Sequence, residues 1–182
     1  MKAVFFGTAA ALAFTTTVAF AENPMVGGAA MFETKNIIEN AVNSADHTTL
    51  VAAVQAAGLV ETLSGTGPFT VFAPTNDAFA KLPAGTVETL LKPENNDQLA
   101  KVLTCHVVGA KAMAADVLGM IEAGGGAHKV GTAGGCELTL TTKDGMVNVT
   151  DEMGNVATVT IADVAQSNGV IHVIDTVLLP KM

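Results

Sequence analysis

The chain has 182 residues and a formal net charge of −8; its basic residues are all lysines, and Arg, Trp and Tyr are absent. Nucleic acid demands clustered positive charge, usually with Arg or stacking aromatics, and anionic membrane surfaces demand much the same. Lysines scattered singly exclude both partners, and the acidic excess suits an exported protein in solution without specifying a fold.

Lys2 precedes an apolar run from Ala3 to Ala19, and Ala19-Phe20-Ala21 sets small residues two apart before Glu22. This arrangement predicts a secretory signal peptide over residues 1–21, cut after Ala21. An uncleaved anchor is the alternative, since the run approaches spanning length, although Thr15, Thr16 and Thr17 interrupt it. Cleavage removes one lysine and no acid, taking the net charge from −8 to −9. No Cys adjoins the cut and no Arg pair precedes the run, which argues against lipid attachment and against twin-arginine export. The mature protein is therefore expected to be secreted, periplasmic or extracellular, without membrane insertion. Residues 22–35, with Pro24, Gly27 and Gly28, read as a lead-in; residues 36–182 have the length of one domain, enough to bury a core unaided.

From Asn36 the apolar spacing turns helical. Ile37, Ile38 and Ala41 share a face; Asp46 is placed to cap a second helix carrying Leu50, Val51 and Val54 and stopped by Gly58. Leu59, Val60 and Leu63 give a short third turn, closed by Ser64-Gly65-Thr66-Gly67-Pro68. Phe69-Thr70-Val71-Phe72-Ala73-Pro74 is a β-rich run ended by proline. Thr75 then N-caps a short helix, with Asp77 at its positive start and Phe79 and Leu82 within it. Val87, Leu90 and Leu91 mark another helix. Asn96-Asp97 opens the next, buries Leu99, Val102 and Leu103, and runs into Cys105-His106-Val107-Val108, which reads as a strand. Met113, Val117, Leu118 and Ile121 form a last helical stripe, broken by a flexible Gly124-Gly125-Gly126.

Beyond Gly126 the period becomes two. Leu138 and Leu140 alternate with Thr139 and Thr141; Asp144-Gly145 turns the chain back through Val147 and Val149, and Gly154-Asn155 turns it again toward Val156, Val159 and Ile161. The last strand, Asn168 to Pro180, carries Val170, Ile174 and Leu178 on one side and Ile171, Val173, Val177 and Leu179 on the other. That is the pattern of a strand covered on both faces. His172 and Asp175 interrupt these rows, one on each side, and read as polar groups satisfied in or beside the core. Helices gathered early and strands late predict an α+β fold, a largely antiparallel β wedge or sandwich with several helices packed on it.

Three blocks resemble the fasciclin domain family: Phe69 to Phe79, Leu103 to Val108, and Asn168 to Pro180, in the family's order and spacing. The lead-in from Asn23 to Ala29 also resembles that of bacterial single-domain members. The resemblance implies a compact β wedge with several helices. Within it Phe72, Pro74, Thr75, Asn76, Asp77 and Phe79 of the first block, and Asn168, Gly169, His172 and Asp175 of the last, are structural. It further implies a non-enzymatic adhesion or interaction module whose partner is a protein or a cell-surface or matrix component. Some animal members use an Asp-Ile pair just before the final block in receptor binding. Asp163-Val164 stands there, either as a binding pair or with the Asp capping the next turn. The family's middle block normally reads Tyr-His, a region linked to adhesion; here it reads Cys105-His106.

Cys105 and Cys136 in an oxidising compartment point to a bridge, with free thiols or a metal site as alternatives. A Cys at the family's Tyr position suggests that the aromatic's packing is exchanged for that covalent link. His106 lies between apolar residues, where it either hydrogen-bonds backbone, Thr75 or Asp77, or serves as a general base, a metal ligand or a binding residue; no nucleophile accompanies it. Gly124 to Lys129 lacks the strand-loop-helix context of a phosphate loop. Asp144, Asp151, Glu152 and Asn155 miss calcium-loop spacing and read as turns. His47, His106, His128 and His172 have no ligand spacing, so neither metal nor cofactor is expected. Asn148-Val149-Thr150 is a glycosylation sequon. The second functional reading is a periplasmic binder of a small apolar ligand or lipid, with Met113, Met120 and Met153 lining an adaptable cavity. Nothing in the chain sets its oligomeric state.

Overall fold

The computed structural model describes residues 23–181, so the signal peptide and its cut after Ala21 lie outside the described residues. The lead-in is part of the fold. β1 (Met25–Val26) and β2 (Ala29–Ala30) form a small antiparallel hairpin, and Val26 and Met31 are buried in the core. Then follow α1 (Ile37–Ala41), α2 (Thr48–Ala56), α3 (Val60–Leu63), β3 (Phe69–Pro74), α4 (Asn76–Ala80), α5 (Thr86–Leu90), α6 (Asn96–Thr104), β4 (Val107–Val108) and α7 (Ala114–Ala123). The last third is β5 (Ala127–Gly131), β6 (Glu137–Lys143), β7 (Met146–Thr150), β8 (Val156–Gln166) and β9 (Gly169–Ile174). The fold is α+β.

Strands β3 to β9 make one seven-stranded sheet in the order β4-β3-β9-β8-β7-β6-β5. Every neighbouring pair is antiparallel except one: β3 and β9 run parallel from Phe69↔Gly169 to Pro74↔Ile174. The sheet is thus largely antiparallel, as expected, with one parallel pair near its β4 edge. A parallel pair needs a long crossover, and everything from α4 to β8 supplies it.

All six residues of β9 are buried. Ile171, Val173 and Val177 join a core with α1 to α6; Ile174 and Leu178 join a second core with α7 and β6 to β8. β3 splits the same way, Val71 and Ala73 to the first core and Phe72 to the second. The alternation read from the sequence therefore becomes two apolar layers, and each fully buried side chain of this size contributes about 1.5–3 kcal/mol.

Local chemistry sets the ends of the elements. Asp144 and Gly145 both have positive φ, 54° and 78°, the two-residue turn whose twist matches a hairpin. The glycines after α7 form a defined stop, where flexibility was expected: Gly125 N–H donates to Glu122 and Gly126 N–H to Ile121, with Gly125 left-handed at φ 74°. Asp46 makes no cap. The start of α2 is satisfied instead by Asn76 of α4, whose Oδ1 accepts from Thr49 N–H at 3.0 Å while its Nδ2 donates to Ala45 O at 2.8 Å. Asn36 caps α1 by a reciprocal pair with Glu39.

Candidate functional site

Helix α6 closes on itself where a strand was expected. Cys105 N–H donates to Lys101 O and His106 N–H to Leu103 O, both at 3.0 Å, so β4 begins only at Val107. His106 is buried among α6, β4 and the C-terminal segment. Its Nδ1–H donates to Val102 O at 2.8 Å, and its Nε2 accepts from Leu178 N–H at 2.9 Å. Both bonds suit a neutral ring. Burial pushes the imidazole down to about 4, against the opposing pull of the Val102 carbonyl and the Asp151 charge. Its hydrogen bonds involve neither Thr75 nor Asp77. Cys105 and Cys136 are joined as a disulfide with Cα atoms 5.4 Å apart. The loop before β6 is laced to the same place by Ala133 N–H to Val107 O and Gly134 N–H to Thr104 O. A Cβ at Gly134 would lie 2.6 Å from Thr104 Oγ1 and 2.9 Å from Cys105 N, so only glycine fits there.

His172 and Asp163 form a second polar junction. The register of β8 against β9 slips between Ile161 and Val164, a bulge that swings Asp163 out with φ 57°. Asp163 N–H donates to His172 Nδ1 at 3.3 Å, and His172 Nε2–H donates to Ala112 O at 2.9 Å. Asp163 Oδ1 accepts from Ala114 N–H at 2.6 Å, placing a carboxylate on an otherwise orphaned amide at the start of α7. Burial lowers the His172 pKa, and the ring sits 5.8 Å from that of Phe72. Asp163 is exposed; Val164 is not. The Val164 side chain belongs wholly to the first core and has no surface for a partner, and His106 is likewise enclosed. Of the three residues named from the sequence for binding, only Asp163 reaches solvent.

The two outer motifs lock the frame. Thr75 Oγ1 accepts from Ala78 N–H at 3.2 Å as the α4 cap. Asn168, buried before β9, takes Ile37 N–H on Oδ1 at 3.1 Å and gives Nδ2 to Leu63 O and Gly65 O at 2.7 and 2.8 Å. Asp175 takes Thr158 N–H at 2.8 Å and pairs with Lys81. Partial burial pushes its pKa up, but the bonds from Thr158, Thr176 and Lys81 outweigh this and hold it below the ordinary value. Asp151, a residue weighed for calcium, already accepts from Met153 N–H, Asn155 N–H, Asn155 Nδ2 and Leu179 N–H. No group of three metal-ligating side chains exists among the described residues. The sequon residue Asn148 is buried, with Oδ1 accepting from Thr158 Oγ1, so a glycan has no access to it in the folded domain. No helix among the described residues is long and apolar enough to cross a membrane.

The model of the fasciclin domain matches residues 45–180. The chain belongs to the fasciclin domain family. It is 54% identical to protein sll1483 of Synechocystis sp. over 172 residues, 91% of this chain and 88% of that one. It is 37% identical over 123 residues to the cell surface glycolipoprotein MPB83 of Mycobacterium bovis, 67% of this chain and 48% of that one. Among solved structures, the domain pair from the insect cell adhesion molecule fasciclin I shares the fold, with TM-score 0.70 at 18% identity over 80% of this chain and 51% of that one. As a fasciclin domain the protein is a non-enzymatic module.

Several residues of this fasciclin domain escaped the sequence reading. Asn40 bonds Gln166 and Phe32 inside the first core, and Thr70 Oγ1 links Ala110 O and Ala112 N–H. Thr70 is a lone polar residue in an apolar run and Asn40 follows Glu39 in a short helix, and the partners of neither are predictable from spacing. The methionines named for a cavity do not line one together: Met153 is exposed and Met120 packs beside the α7 core, whereas an apolar cavity on the opposite face is lined in part by Met31.

Proposed function

We propose that this fasciclin domain is exported with removal of residues 1–21 and acts as an adhesion or interaction module, engaging a protein or cell-surface component through the Asp163 turn. The observation that carries this reading is an exposed carboxylate on a non-glycine residue at φ 57°, fixed from two sides by His172 and Ala114. Backbone strain of this kind persists only where surrounding structure imposes it, and it clusters at binding sites. The printed names of the mycobacterial cell surface relative and of the insect adhesion molecule support the same role.

Asp163→Asn is the discriminating variant. Asn tolerates the left-handed conformation and keeps an acceptor for Ala114 N–H, so only the charge is lost. Cell–cell and cell–surface attachment should fall in Asp163→Asn while the melting curve stays close to wild type. Full attachment in Asp163→Asn, with loss only in a destabilised Asp163→Ala, would reduce the residue to a helix cap.

A further inference from the structure

One titrating side chain stands behind the Asp163 turn. His172 of β9 is only 2% exposed and lies beside Phe72 of the parallel strand β3. Its Nδ1 accepts from Asp163 N–H at 3.3 Å, so the proton of the neutral ring sits on Nε2, which donates to Ala112 O at 2.9 Å. The loop that supplies Ala112 is itself clamped: Thr70 Oγ1 donates to Ala110 O and accepts from Ala112 N–H. The tautomer and the direction of the ring are therefore fixed.

Few charges face this ring. From β8 comes Asp163, whose carboxylate favours the imidazolium. Asp116, in the first turn of α7, is exposed and holds Met113 N–H, and Lys111 is exposed on the loop beside Ala112. β3 and β7 present only Phe72 and Val147, and on β9's own continuation Asp175 is engaged by Thr158 and Lys81. Burial outweighs the Asp163 charge, so the ring protonates only below 6.5.

A proton added at Nδ1 turns the acceptor into a donor. Two N–H groups then face each other across 3.3 Å, and the bond that held the turn is lost. The nearest acceptor is the Asp163 carboxylate, which leaves Ala114 N–H to take the new Nδ1–H in a charge-assisted bond. Asp163 at φ 57° needs its surroundings to hold it, and His172 is one of its two supports.

We propose that His172 is a positioning residue that makes the Asp163 turn acid-sensitive: the neutral ring presents the carboxylate outward at the start of α7, and the protonated ring draws it back onto the imidazolium. As regulation this rests on the reading of Asp163 as the partner contact, whereas the latch itself is tested without any partner.

Histidine and amide NMR on the purified protein, titrated from neutral pH to acid unfolding, reads the latch directly. His172 should carry its proton on Nε2 at neutral pH and titrate below 6.5, and the Asp163 and Ala114 amides should move with the same midpoint. His172→Gln keeps an acceptor for Asp163 N–H and a donor for Ala112 O but cannot protonate, and should abolish that transition at both amides. Asp163→Asn leaves the core untouched and removes the attracting charge, so in it the His172 midpoint should fall further. Cell attachment is then compared at neutral pH and one unit below the wild-type midpoint, where about a tenth of the molecules keep a neutral ring. Wild type should lose most of its attachment, up to about tenfold. The ratio between the two pH values should return toward one in His172→Gln, whatever its level at neutral pH. Full attachment by Asp163→Asn at neutral pH would discard the contact residue and leave the amides to decide the latch. Asp163 and Ala114 amides that stay still while His172 titrates, or that move unchanged in His172→Gln, would overturn the proposal. So would an unmoved His172 midpoint in Asp163→Asn, unfolding before His172 protonates, or equal acid loss of attachment in wild type and His172→Gln.

Discussion

Removing the His106 side chain should change both the stability of the domain and its response to acid. In the native state the ring is enclosed and neutral, donating to Val102 O and accepting from Leu178 N–H, with its pKa pushed down to about 4 from 6.5. The folded state therefore resists protonation that the unfolded chain accepts. The sign follows directly: the contribution is fully present above pH 6.5, shrinks as pH falls, and is gone below about pH 4. A gap of about 2.5 pKa units at 1.36 kcal/mol each corresponds to about 3 kcal/mol. His106→Gln, which cannot protonate, should lose about 1–3 kcal/mol at pH 7.5 through imperfect pairing of the buried Leu178 amide and Val102 carbonyl. It should then lose about 3 kcal/mol less than wild type between pH 6.5 and 4. Urea denaturation at half-unit pH steps, disulfide intact, measures both quantities. Taking the difference between the proteins cancels the carboxylates and the other buried histidines. Parallel pH profiles for the two proteins would refute the argument.

Other perturbations have equally definite outcomes. Gly169→Ala would set a Cβ 2.1 Å from Phe69 O, in the backbone of the neighbouring strand, and should destabilise by about 3 kcal/mol or prevent folding, as urea midpoints will show. Replacing both Cys105 and Cys136 by Ala frees a loop with a separation of 31 residues, which the chain-entropy relation converts to about 4 kcal/mol. Thiol titration of unfolded, unreduced wild type should find no reactive groups, and two per chain would rule the bridge out. Asn168→Ala leaves Ile37 N–H, Leu63 O and Gly65 O unpaired and should cost about 2–4 kcal/mol, with amide exchange accelerated first at α1 and α3. Asp175→Asn should lower stability above the normal carboxylate range and narrow the gap to wild type as pH falls through the depressed native value, in the same urea series.

Some of this was legible in the sequence because period and turn chemistry are local. The two rows of the last strand predicted which residues face which core, and Asp144-Gly145, Thr75 and the helical stripes predicted their turns and caps. The rest depended on partners distant in sequence. Nothing near Thr48 says that its helix will be capped by Asn76, so the nearer Asp46 was the natural but mistaken choice. Nothing in β3 or β9 separately says that they lie parallel; both are short apolar runs, and apolar runs carry no direction. Cys105-His106 looked like strand because Val107-Val108 follows, but two backbone bonds back into α6 prevailed. Asp163-Val164 shows the limit most clearly. A resemblance supplied the pair, yet the bulge turns one member outward and seals the other inside.

The last of the described strands in chain order, β9, is buried along its whole length and joins two parts of the sheet that were made before it. Until residues beyond Gly169 leave the ribosome, β3 and β4 on one side and β5 to β8 on the other have nothing between them. By the same logic a premature stop ahead of Gly169 would split the sheet into two sticky halves, and such a truncated product should be cleared by proteolysis rather than accumulate as a shortened domain.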